Sequence, residues 1–140
     1  MGKVMPTIRL TNEDDYANRN AGLDVPLRSI EMPALVDTGA TMLVLPAEVV
    51  AKLGLRTLGA SKVRLADGRR EDVLRVGPVR LEILGRPTTC EALVLPTGTQ
   101  ALIGQIPLEA LDLIVDPKSQ EVRPNPASPD APLLDLLAVA

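Results

Sequence analysis

Leu35-Val36-Asp37-Thr38-Gly39-Ala40-Thr41 is the stretch on which the reading of this chain turns. Ala34-Leu35-Val36 is a short apolar run that stops at a polar turn signal, and Met42-Leu43-Val44-Leu45 is a second apolar run, stopped by Pro46. Asp37 to Thr41 therefore sits in a turn between two buried strands. An aspartate that follows two apolar strand residues is held on a rigid element. The Thr after it can hydrogen-bond locally, and the Gly lets backbone approach closely. Such a turn can hold a carboxylate in a partly desolvated position. The same residues also fit an Asx-type turn with a solvated aspartate.

Working outward, Pro46 to Leu55 reads as a helix. Pro46 suits the first helical position, Glu48 and Lys52 are spaced for a favourable pair, Val49, Val50 and Leu53 share one face, and Gly54 stops it. Val63–Ala66 and Glu71–Leu74 flank Asp67-Gly68, which predicts a two-residue hairpin with positive φ at both turn positions. Val79–Leu84, Ala92–Leu95 and Ala101–Ile103 read as further strands, the last ended by Gly104. Pro107–Leu111 is a short helix, and Leu113–Val115 pairs with Glu121–Arg123 across Asp116-Pro117-Lys118. Towards the N-terminus, Val4–Leu10 and Leu27–Glu31 read as strands. The polar stretch Thr11–Gly22 between them reads as a loop or wide hairpin, with Glu13, Asp14 and Asp15 solvated. Asp112 reads as a helix-end or loop carboxylate and Asp116 as a turn carboxylate. Many short strands with regular turn signals predict an all-β barrel or sandwich with one or two short helices.

A length of 140 residues fits one domain. The composition shifts at Pro124: Pro124, Pro126, Pro129 and Pro132 interrupt small residues before Leu133-Leu134-Asp135-Leu136-Leu137. The expected division is a domain over residues 1–123 and an extended tail over 124–140 that packs on the domain or a partner. A sharper alternative has the apolar tail occupying the protein's own cleft.

Composition narrows the chemistry. Tyr16 is the only aromatic residue and the net charge is −3, so neither stacking platforms nor a basic footprint for nucleic acid exists. With no histidine and a single cysteine, Cys90, the chain lacks Ser-His-Asp and Cys-His catalysis, His-ligated or Cys-rich metal sites and an intramolecular disulfide. No metal or cofactor is expected, and a carboxylate is the favoured acid–base group. The apolar runs fall far short of the roughly 20 residues that span a bilayer, and no export segment is evident, so a cytoplasmic protein with Cys90 as a small buried hydrophobe is expected.

The Asp37 string resembles the active-site loop of retropepsin-like aspartic proteases, which reads apolar-apolar-Asp-Thr/Ser-Gly-Ala/Ser. The resemblance extends to the Pro-started helix, the following hairpin and Ala101-Leu102-Ile103-Gly104 before a second short helix. It covers roughly Val4 to Arg123. More narrowly, Ala34 to Ala40 and Leu113 to Pro117 are similar to small prokaryotic clan AA members. This resemblance implies a closed β-barrel with one lobe per chain, and a homodimer that pairs two copies of Asp37 to hydrolyse a peptide or unfolded protein. Two close carboxylates share one proton, the general behaviour of aspartic proteases.

By the same resemblance Thr38 would hold the two loops together across the dimer, Gly39 would permit close approach, and Leu102, Ile103 and Gly104 would support the loop from below. Ala40, where relatives carry Ala or Ser, cannot hydrogen-bond the aspartate, which implies an acidic to mildly acidic optimum rather than an extremely acidic one. The hairpin tip Ala66-Asp67-Gly68 is the flap candidate. It is less glycine-rich than retroviral flaps, and Arg69 and Arg70 beside it would be solvated or would select acidic peptide segments. Two other functions remain compatible with these residues: a non-catalytic peptide-binding or dimerisation module, and an enzyme held latent by its own tail.

Overall fold

In the computed structural model, which describes residues 3–137, strand outweighs helix, 44% against 16%. The strands are β1 (Thr7–Asn12), β2 (Ser29–Pro33), β3 (Leu35–Val36), β4 (Leu43–Pro46), β5 (Arg56–Arg64), β6 (Arg70–Ile83), β7 (Arg86–Leu95), β8 (Leu102–Ile103), β9 (Leu113–Asp116) and β10 (Glu121–Pro124). The helices are α1 (Glu13–Asn20), α2 (Ala47–Leu53) and α3 (Gln105–Leu111). Eight strands form one sheet in the order β2-β1-β6-β7-β4-β8-β3, with β5 paired to β6 off that path. β9 and β10 make a separate hairpin.

The main sheet curls strongly into a half barrel, the all-β architecture expected. Its two ends are tied together. β2 and β3 are separated only by Ala34, whose N–H donates to Pro6 O at 3.1 Å, and Val36 N–H donates to Val4 O at 2.9 Å. One extended run thus pairs with the N-terminal strand and, through β3, with β8. The concave side is filled by aliphatic side chains. Ile8, Leu10, Leu43, Leu45, Leu53, Leu81, Ile83, Ile103 and Leu111 are all essentially fully buried, each stabilising the fold by about 1.5–3 kcal/mol relative to an exposed position.

Most expected elements form, with shifted ends, but the strands expected at Glu71–Leu74 and Val79–Leu84 are one strand, β6, and the strand expected at Val63–Ala66 is the end of the longer β5. α2 begins after Pro46, which serves as its N-cap, and Gly54 (φ 62°) closes it in the left-handed conformation. α3 begins two residues before Pro107, because a proline lacking its N–H is harmless anywhere in a first helical turn.

Three expectations are corrected. Thr11–Gly22 is not a loop: it ends β1 and forms α1. The Asn12 side chain accepts from Asp15 N at 3.1 Å as an N-cap, and three acidic residues fill the first turn. Asp15 is correspondingly not solvated. It is buried and takes a bidentate ion pair from Arg28, at 2.8 and 2.9 Å, that holds its carboxyl below the usual range. The β5–β6 turn is longer than two residues: Arg64 pairs with Arg70, and Gly68 N–H donates to Leu65 O at 2.9 Å. Leu65 N–H also donates to Arg69 O at 2.8 Å, so the loop is Ala66-Asp67-Gly68, and only Gly68 (φ 85°) is left-handed because a three-residue hairpin loop ends in a single such residue.

Candidate active site

Asp37 follows directly on β3, and its loop is fixed mainly by backbone. Asp37 N–H donates to Ile103 O at 3.0 Å, and Ala40 N–H donates back to Asp37 O at 3.0 Å. β3 runs parallel to β8, with Leu35 opposite Leu102 and Val36 opposite Ile103, and β4 runs antiparallel to β8 on its other side. The loop between β3 and β4 is thereby stretched across the end of β8.

Below the loop, α3 completes the arrangement. Gln105 and Ile106 donate their N–H groups to Ala40 O and Thr41 O, at 2.9 and 3.0 Å. A helix start leaves its first N–H groups without partners, and here the loop's carbonyls supply them. Gly104 N–H donates to Met42 O. A Cβ on Gly104 would overlap Met42 O and lie 2.6 Å from both Met42 N and Thr41 C, all of them backbone atoms that cannot swing aside. Glycine is required here by close approach. Leu102, Ile103 and Gly104 are thus brought to the loop by strand pairing and hydrogen bonds.

The Asp37 carboxylate is half-buried, and its Oδ1 accepts from Gly39 N at 2.9 Å. Thr38, Gly39 and Thr41 are exposed around it. The loop therefore presents a carboxylate with one oxygen oriented by backbone, on a face open to another molecule. Two shallow clefts elsewhere are lined by Thr7, Arg9, Glu31 and Glu82 and by Val4, Met5, Leu84 and Val122; neither includes residues 37–41.

Ala66, Asp67 and Gly68 occupy the exposed tip of the β5–β6 hairpin. Asp67 is held locally, accepting from Arg69 N at 3.0 Å and Arg69 Nε at 2.6 Å. Among the described residues no hydrogen bond joins this tip to the Asp37 loop. The ribbon leaves the sheet where β5 carries a bulge between Thr57 and Gly59. Arg75 lies over Gly59 there, donating to Glu91 Oε1 at 2.6 Å and to Ser61 Oγ at 2.9 Å.

Other candidate groups are placed away from such chemistry. Cys90 is half-buried, and burial, helped by Glu91, pushes its thiol up to about 12, which removes the thiolate a nucleophile needs. Among the described residues no three Asp, Glu or Cys side chains gather to hold a metal ion. No helix among them is long and apolar enough to cross a membrane.

Sequence reasoning missed a polar cluster at the far end of α3. Asp112, left-handed at φ 53°, closes that helix, and its carboxylate accepts from Asn125 Nδ2 at 3.0 Å, Leu133 N at 3.0 Å and Ser128 Oγ. These donors hold it down at about 2. The buried Arg86 donates to Leu111 O, Asp112 O and Ser128 O, at 3.1, 2.9 and 2.5 Å. Residues 125–133 are fastened to the barrel by this cluster, and no spacing in the sequence announced it.

A half-barrel sheet carrying an Asp-Thr-Gly loop locked over a Gly-started helix is the architecture of a retropepsin-like aspartyl protease domain. The profile of the family described as gag-polyprotein putative aspartyl protease matches residues 24–110, which span the Asp37 loop, the β5–β6 hairpin and Gly104. The chain belongs to this retropepsin-like aspartyl protease family. No curated protein matches it.

Proposed function

We propose that the chain is an aspartic endopeptidase that acts as a homodimer, with Asp37 of each protomer forming the catalytic pair. The observation that carries this reading is the placement of Asp37. Its backbone is held to β8 and α3, one carboxylate oxygen is oriented by Gly39, and the face around it is open. A single such loop supplies one carboxylate, and a two-fold axis through the exposed Thr38-Gly39 tip would supply the second. Two carboxylates within hydrogen-bond reach share one proton. The ionised member takes a proton from water as that water attacks the scissile carbonyl. The protonated member polarises the carbonyl oxygen and then helps protonate the departing amine. Thr38 would bridge the two loops, and Ala66-Asp67-Gly68 would close over the peptide as the flap.

The substrate is a peptide or unfolded segment, bound in aliphatic pockets because the chain has one aromatic residue. We place the domain at residues 1–123 and the work in the cytoplasm. Ala40 offers no hydroxyl to the carboxylate, so the optimum is acidic to mildly acidic, and a rate profile that peaks at extreme acidity would contradict this. The tail-latent alternative is less favoured. The fastened part of the tail sits at the C-terminal end of α3, whereas the Asp37 loop caps its N-terminal end, about 10 Å away for a helix of this length.

The test is cleavage of a proteome-derived peptide pool by wild type and Asp37→Asn, with cut sites read by mass spectrometry. Wild type is expected to cut, and the variant to lose about 100-fold or more of the rate. The rate should also rise with the square of protein concentration below the dimer dissociation constant. Equal cutting by both proteins would end the proposal, and no cutting by a proven dimer would favour the non-catalytic binding module.

A further inference from the structure

The β5–β6 ribbon contains a local conflict that the fold does not relieve. In its register Arg64 stands directly opposite Arg70 at the last pair before the turn. Residues opposite one another in an antiparallel pair project from the same face, about 5 Å apart at Cβ, and like charges so placed are destabilising. Both arginines are exposed. Among the described residues neither makes a side-chain hydrogen bond or an ion pair. The nearby carboxylates are engaged with other cations: Asp67 and Glu71 with Arg69, at 2.6 and 3.5 Å, and Asp72 with Lys62, at 3.0 Å. Arg69, the more obvious candidate from sequence, is thus neutralised, and the open pair is Arg64 with Arg70. A conflict that persists where neighbouring positions are all compensated marks a functional position rather than an ordinary surface.

We propose that Arg64 and Arg70 form a two-guanidinium clamp for the carboxylate of an aspartate or glutamate in the bound peptide. The geometry suits that ligand. Guanidinium forks present paired N–H donors that match a carboxylate, and two forks on one face can take both of its oxygens. β5 pairs with β6 alone, so the tip projects beyond the main path of the sheet, where a peptide can reach it. A polyanion is a poorer fit, because the chain as a whole carries a net charge of −3. The clamp sets substrate class for the peptidase proposed above and rests on that reading only for the cleavage arm of its test.

The probe is a labelled peptide that wild type cuts, carrying one Glu in an otherwise uncharged sequence, together with its Gln twin. The kcat/KM ratio of the Glu peptide to the Gln peptide is expected to be about tenfold at low salt, and to fall towards one in Arg64→Gln/Arg70→Gln and in wild type at high salt. A ratio that is unchanged in the double variant overturns the clamp. Binding of both peptides to Asp37→Asn is measured alongside by fluorescence anisotropy. If wild type cuts no peptide at all, but Asp37→Asn still prefers the Glu peptide and loses that preference when Arg64 and Arg70 are replaced, the clamp stands and the peptidase reading falls. No preference in either assay overturns the clamp. Arg70→Glu, which turns the conflict into an ion pair, is expected to raise the melting temperature, and a lower one would remove the premise.

Discussion

The Asp37 loop and the β5–β6 ribbon are both polar turns between strands, and they are held in opposite ways. Asp37 N–H is taken up by β8, the carbonyls of Ala40 and Thr41 are taken up by α3, and the glycine beneath the loop has no room for a methyl group. The ribbon beyond Gly59 has one strand partner per arm and is crossed by the exposed ion pair Lys62–Asp72, while Arg75–Glu91 ties its base to β7. Backbone hydrogen bonds shielded by a core are expensive to break, whereas exposed ion pairs are cheap and sensitive to salt. Rigidity is thus concentrated at the carboxylate, and compliance at the β5–β6 tip. Local stability is expected to follow the same division, because segments with few buried contacts open first.

The strongest way to break this contrast is to attack the loop from below. Gly104→Ala is expected to destabilise the protein by about 3 kcal/mol, since the added methyl meets backbone of Thr41 and Met42. Urea unfolding measures it, and a loss near zero would mean that the loop is not rigidly seated on α3. Next in size, Arg86→Met is expected to cost about 2 kcal/mol by leaving three carbonyls near Ser128 and the end of α3 without their donor. Because that cluster lies at the far end of α3, cleavage specificity should stay constant while stability falls.

The Asp112 carboxyl sharpens the contrast through pH. Its ionised form is held by Ser128, Leu133 and Asn125, so its folded value, about 2, lies below that of the unfolded chain. A depressed value contributes stability above the unfolded pKa and loses it as pH falls through the folded one. Thermal unfolding of wild type should therefore keep this contribution in mildly acidic buffer and lose it between about pH 4 and pH 2. Asp112→Asn should flatten the curve in that window, and an unchanged curve would show that the tail is not fastened by this charge. The smallest effect belongs to the ribbon. Arg75→Ala should change global stability by less than about 1 kcal/mol. It should nonetheless speed amide hydrogen exchange at Ala60–Arg64 while leaving exchange at the hydrogen-bonded Asp37 and Ala40 amides unchanged.

Much of this molecule was legible in the sequence because the signals are short-range. Pro46 and Gly54 bracket α2, apolar runs mark β3, β4 and β8, and Asp-Thr-Gly between two such runs locates the loop. α1 escaped that reading because Glu13–Asn20 has no apolar periodicity, only Tyr16 and Ala17 among polar residues. It persists because Asn12 caps it and also donates to Leu53 O at 2.8 Å, while Asp15 is locked to Arg28. Those partners are distant in sequence, and no window of a few residues contains them.

The residues taken in order thus locate the aspartate, the all-β class, two of the three helices and most of the strands, although β6 reads as two strands and most of β5 does not read as a strand at all. Periodicity, proline, glycine and turn chemistry act within a few residues and can be read from them. The packed fold alone sets Gly104 against Met42, fastens residues 125–133 through Arg86 and Asp112, and puts Arg64 opposite Arg70 while Arg69 is neutralised. Each of these depends on register or on a contact between remote segments. A strand pairing shifted by one residue would leave the same composition and motifs while placing different charges face to face.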